Sequence, residues 1–173
     1  MKRLALVAFT CLVFFAGTVA SAGKAEHLNF KIGQEWKVAN SGEVPDHYFI
    51  MEFVREGDDI KNWKELVTMQ NFNKSRSMRS PEQTLNELKT AREKSCPRVT
   101  EWNVIDEKED SILYEWHAKT CLDQPEQSEI AKIIYGKHNV FLLHYAAKVH
   151  EFSSETRAEW IKAFTAAGIA DAR

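Results

Sequence analysis

Residues 128–149, Ser-Glu-Ile-Ala-Lys-Ile-Ile-Tyr-Gly-Lys-His-Asn-Val-Phe-Leu-Leu-His-Tyr-Ala-Ala-Lys-Val, decide the fold. Two apolar runs rich in Ile, Val, Phe, Tyr and Leu are separated by Gly136-Lys137. Such runs are strands, and glycine at the first position of a two-residue link fits a type II′ turn, so 128–135 and 138–149 are expected to form an antiparallel hairpin. Side chains alternate along a strand, which puts Phe141, Leu143, Tyr145, Ala147 and Val149 on one face. The other face is mixed, with Val140, Leu142, His144, Ala146 and Lys148 between His138 and His150.

A two-residue turn sets Glu129 across from His144. A carboxylate beside an imidazole can orient the ring for acid–base work, which makes Glu129 and His144 the catalytic pair of a small hydrolase-like alternative. The same pairing is an ordinary cross-strand contact, and no Ser or Cys nucleophile in a recognised motif completes a triad. The leading expectation is therefore a protein without catalytic residues.

Upstream, Val99–Asp106 and Ser111–Ala118 form a second expected hairpin around the polar link Glu107-Lys108-Glu109-Asp110. Pairing Asp106 with Ser111 sets Ile105 against Ile112, and the same register brings Cys96 opposite Cys121. Pro97 ends the ladder there, leaving the cysteines just beyond it, where a disulfide would lock the base of the hairpin. The two are not in a C-x-x-C turn, so their role is read as structural.

Further strands are expected at Gln34–Val38, His47–Val54 and Trp63–Phe72, with Asn40-Ser41-Gly42 as a turn and residues 23–33 loosely held. Ser80 is an N-cap, Pro81 takes the first helical position, and Leu85, Leu88 and Ala91 give the helix running to about Lys94 one apolar face. A second amphipathic helix begins after Ser153-Ser154-Glu155-Thr156, carries Trp160, Ile161 and Phe164, and ends near Gly168. Sequential hairpins with two one-sided helices specify an α+β domain, an antiparallel sheet with both helices packed on it.

The chain opens with Lys2-Arg3, an apolar run from Leu4 to Ala16, and the small-residue stretch ending Ala20-Ser21-Ala22. That is the three-part pattern of a secretory signal peptide over 1–22, leaving 23–173 as one mature domain with no stable membrane insertion after cleavage. Cleavage removes Cys11, so Cys96 and Cys121 remain in a periplasmic or secreted protein. It also takes the 23 basic side chains to 21 against 25 acidic ones. A mildly acidic domain offers no basic surface for a nucleic-acid backbone.

Other constellations are weaker. His138, His144 and His117 lack metal-ligand spacing, and histidines six residues apart on one strand are about 20 Å apart, so no metal or cofactor is expected. The five tryptophans are read first as core, with a small-molecule cleft between sheet and helices as the alternative. Lys74, Arg76 and Arg79, beside the N-terminus of the first helix, are the candidate anion or partner site. The expected partner is another envelope protein or a small ligand.

The order of Gln34-Glu35-Trp36-Lys37, a central strand pair, the Ser80-Pro81 helix, the Val140–Ala147 strand and Trp160-Ile161-Lys162-Ala163-Phe164 resembles the PsbP-like fold group over most of residues 34–165. It is similar as well to many exported bacterial proteins without assigned activity. The resemblance implies an exported, non-catalytic accessory or binding domain. The Cys96–Cys121 hairpin belongs to no pattern of that group, and nothing in the sequence implies a photosynthetic role.

Overall fold

The structure, a computed structural model, describes residues 26–44, 48–73, 80–121 and 124–171. In chain order the elements are β1 (Glu26–Asn29), β2 (Trp36–Val44), β3 (Tyr48–Arg55), β4 (Glu65–Asn73), α1 (Pro81–Ser95), β5 (Thr100–Lys108), β6 (Ser111–Ala118), β7 (Gln127–Tyr135), β8 (Asn139–Ala147), α2 (Ser154–Ala166) and β9 (Gly168–Asp171). Strands β2 to β8 form one antiparallel sheet in the order β2-β3-β4-β8-β7-β6-β5, while β1 pairs with β9. The fold is α+β, one domain dominated by sheet, with a helix on each face.

β8 lies at the middle of the sheet between β4 and β7, and nearly all of β7 and β8 is buried. That is why their sequence is apolar on both faces. On one face Val67, Ile130, Leu143 and Tyr145 pack against Trp36 and against Trp160 and Phe164 of α2. Tyr145 stacks on Trp160 with ring centroids 4.1 Å apart and planes 10° from parallel. On the other face Ile112, Tyr114, Ile133, Val140 and Leu142 receive Leu85 of α1. Apolar surface of this extent, at about 25 cal/mol per Å² buried, is the main force holding both helices to the sheet.

Two registers differ from the sequence expectation. Tyr135 pairs with Val140 across residues 136–139, so His144 faces Ala131 while Glu129 faces Ala146. Glu26 supplies the reason: its carboxylate accepts the backbone N–H groups of Lys137, His138 and Asn139 at 2.6, 2.9 and 3.1 Å, holding a wider turn than type II′. Gly136 makes the approach possible, since a Cβ there would sit 2.5 Å from the Glu26 carboxylate. Burial opposes ionisation of Glu26, but the three N–H donors outweigh it and hold the carboxyl below its ordinary value.

In the β5–β6 hairpin the turn is Glu109-Asp110, with Lys108 opposite Ser111 and a bulge between Val104 and Asp106, so Asp106 faces Leu113 rather than Ser111. Cys96 and Cys121 are nevertheless disulfide-bonded, their Cα atoms 5.9 Å apart. Cys96 is not part of the ladder at all. It caps the C-terminus of α1, so the bond ties the helix to the β6–β7 connection rather than strand to strand.

Other boundaries move as well. Residues 26–29, expected to be loose, pair with the last strand of the chain. Asn40-Ser41-Gly42 lies inside β2 instead of forming a turn, because an edge strand with one neighbour accepts polar residues. β4 begins at Glu65, and Trp63 lies before it with the Lys148 ammonium 4.5 Å from its ring centre. The expected signal peptide over 1–22 lies outside the described residues. Among the described residues no helix is long and apolar enough to cross a membrane.

Candidate functional site

α1 is fixed at both ends. At its start Ser80 Oγ accepts the Gln83 N–H at 3.1 Å, Pro81 fills the first turn, and Glu82 suits the positive end of the helix dipole. At its end Arg92 and Lys94 suit the negative pole, and the Cys96 N–H donates to the Arg92 carbonyl at 2.8 Å. The disulfide carries this last turn to Cys121, whose backbone exchanges two hydrogen bonds with Gln124. Arg92 Nη1 then donates to Gln124 Oε1 at 2.7 Å, and Arg92 Nε to Thr100 Oγ1 at 3.4 Å. The rim of the site is thereby built from residues distant in sequence.

Between this last turn and the sheet lies a cavity of about 300 Å³. Leu88, Ala91, Arg92 and Ser95 close it from the helix side, and Trp102, Tyr114 and Trp116 form its wall. Glu129 and His144 complete its lining from the sheet. The register shift of two residues leaves both side chains on the same face, as diagonal neighbours instead of a direct pair. Their contact survives: His144 Nδ1 lies 2.8 Å from Glu129 Oε1. Trp116, directly opposite Glu129 on β6, donates its indole N–H to the same oxygen at 3.0 Å.

A carboxylate accepts, so the ring nitrogen facing Glu129 is the protonated one, and in the neutral imidazole Nε2 then carries the lone pair. Nε2 is buried and has no hydrogen-bond partner. Among the described residues Asn71 Oδ1, on the other side of the sheet, is the only other buried side-chain atom in that condition. Such groups carry a desolvation cost of about 1–3 kcal/mol when unpaired. Burial first, and then the nearby Glu129 charge, push the Tyr114 phenol well above its ordinary value, keeping that wall uncharged.

Cations stand over the wall. The Arg92 guanidinium is 4.8 Å from the Trp116 ring centre, and the Lys89 ammonium 5.8 Å from that of Trp102. Neither forms an ion pair among the described residues.

On the opposite face a second cavity of about 240 Å³ is lined by residues that include Glu115, His117, Glu151 and Arg157. Arg157 donates twice to Glu115 at 2.7 and 2.8 Å, which, with a bond from Asn103, holds the Glu115 carboxyl below its usual range. His117 lies 3.2 Å from Glu101, and His150 lies 2.9 Å from Glu126. His117 thus sits on the other side of the sheet from His144, and no group of three His, Cys, Asp or Glu among the described residues could hold a metal ion.

The sequence-derived candidates therefore separate. Cys96 with Cys121 and Glu129 with His144 are brought together, whereas Lys74, Arg76 and Arg79 lie outside the described residues. Trp102 and Trp116 serve both roles weighed for them, packing in the core and facing a cleft. Arg92 and Gln124 were not legible, because only the disulfide-bound turn of α1 brings them to the sheet.

Fold and site define the class: an α+β protein whose disulfide-tethered helix closes an aromatic cavity over a histidine–glutamate pair. The chain belongs to a single protein family, whose model matches residues 23–168. None of the curated proteins compared with the chain matches it.

Proposed function

We propose that the protein is an exported, non-catalytic binding protein of the bacterial cell envelope, taking a small ligand in the cavity under α1. The observation that carries this is a cavity of about 300 Å³ under α1 whose lining joins Trp102 and Trp116 to the hydrogen-bonded Glu129–His144 pair. Export is supported by the signal-peptide pattern, by the disulfide, and by a family match that begins at residue 23, directly after the expected cleavage site.

Phenol, the smallest planar O–H donor that stacks, is the direct probe. Titrated into the disulfide-bonded protein and followed by NMR, it is expected to shift the His144 imidazole and Trp116 indole signals saturably. His144→Phe, which fills the space and removes the imidazole, is expected to abolish this. Equal binding by that variant, or no saturable shift at these two side chains, overturns the proposal.

A further inference from the structure

We infer that Lys132 is an attachment site for a small aldehyde, which its side-chain amine takes up as an imine in a cavity at the end of α2. The site lies on the α2 side of the sheet and does not depend on the cavity under α1.

Lys132 is on β7, where alternation with Ile130 and Ile134 turns it to the face that α2 covers. It is 6% exposed, and among the described residues no other lysine is buried. A lysine at this depth ordinarily has a carboxylate beside it. None of the described carboxylates forms an ion pair with it. Its partners are instead the last carbonyls of α2: Nζ donates to Ala167 O at 2.8 Å and lies 3.5 Å from Thr165 O. The last turn of α2 has no basic residue of its own, so these carbonyls draw their donor from the sheet.

Beside them is a cavity of about 450 Å³. Lys132, Thr165 and Ala167 all line it, which sets the amine nitrogen and both its acceptors on one wall. Lys108, Lys137, Asp110 and Glu26 carry the other charges of the lining. Burial first, and then the Lys108 charge, outweigh Asp106 and Asp110 and lower Lys132 from its ordinary value. Glu26 is already occupied by three backbone N–H groups. A desolvated lysine near a second cation is the arrangement that gives a nucleophilic amine.

The neutral amine has two hydrogens and one lone pair. With the hydrogens directed to two carbonyls of α2, the lone pair points away from the helix end. Its attack on an aldehyde carbon forms the C–N bond; the carbonyl oxygen leaves as water with both amine hydrogens, and C=N replaces C=O without any change in oxidation state. Protonated by solvent, the imine keeps one N–H. That is enough for the shorter bond to Ala167, and the long one to Thr165 is given up.

The test treats the folded, disulfide-bonded protein with propanal and cyanoborohydride, which reduces the imine to a stable amine, and follows each lysine by peptide mass analysis. Lys108 and Lys137, exposed on the same lining, are the comparisons. At pH 7 Lys132 is expected to be modified several-fold faster than either. A lysine held below its ordinary value is neutral where the others are still charged, so the preference is expected to shrink as the pH rises toward about 10.4, where exposed lysines lose their protons too. Unfolding in urea is expected to abolish it. Lys132 left unmodified, or modified no faster than Lys108 and Lys137, is only the partner of the α2 carbonyls, and the inference is overturned. A preference that survives unfolding, or that grows with pH, overturns it as well. No lysine lines the cavity under α1, so every one of these results leaves the phenol titration to be judged by itself.

Discussion

The bond between Cys96 and Cys121 is placed to stabilise the fold and to hold the rim of the cavity, and the two effects can be measured together. Cys96 is fully buried, and the cysteines are 25 residues apart in sequence. In the chain-entropy model a closed loop of that size removes about 3.5 kcal/mol of freedom from the unfolded chain. For a domain of about 150 residues this corresponds to roughly 7–14 °C in Tm. The perturbation is Cys96→Ala with Cys121→Ala, and the assay is urea unfolding followed by tryptophan fluorescence, with the slope fitted separately because a cross-link changes the unfolded state. Hydrogen exchange on the folded variant should show lost protection confined to the last turn of α1, around Arg92 to Cys96, and to Cys121 and Gln124. A stability loss below about 1 kcal/mol, or protection unchanged in that turn, would refute the role given to the bond.

Two further substitutions probe the frame. Glu26 titrates below the ordinary glutamate range in the folded state, so its contribution is complete above that range and is lost as the pH falls through the lower folded value. Glu26→Gln should therefore be less stable than the parent at pH 7, with the gap closing on acidification toward about pH 3; a gap that widens on acidification contradicts the turn clamp. Leu85, 1% exposed and the main anchor of α1 on the sheet, should cost about 2–5 kcal/mol when changed to Ala, read by chemical denaturation. A change within 0.5 kcal/mol, the usual range for surface sites, would mean that the helix is held by something other than this contact.

Much of the sheet was legible because burial leaves its period in the sequence. β6, β7 and β8 announce themselves by β-branched and aromatic runs, and α1 by Ser80, Pro81 and its apolar face. The Glu129–His144 contact was reached through a register wrong by two residues, and it survived because an error of two keeps every side chain on its own face. An error of one would have sent His144 to the α2 side.

What escaped was set by tertiary partners. The wide β7–β8 turn depends on Glu26, more than a hundred residues away in sequence, and no local signal at Gly136-Lys137 carries that information. The short β1 and β9, with few apolar residues, form only because they find each other. The edge strand β2 reads locally as a turn at Asn40-Ser41-Gly42. Trp116 reaches Glu129 across the β6–β7 pairing, whose register is set beyond a long polar connection rather than by a tight turn.

The account turns on which nitrogen of His144 carries the proton. A long-range proton–nitrogen NMR correlation of the histidine side chains, recorded at about pH 9 where imidazoles are ordinarily neutral, reads this directly. The geometry predicts that His144 is protonated at Nδ1, toward Glu129, with Nε2 bare. A proton found on Nε2 with Nδ1 bare would contradict it, because Nδ1 could then not donate to the Glu129 carboxylate.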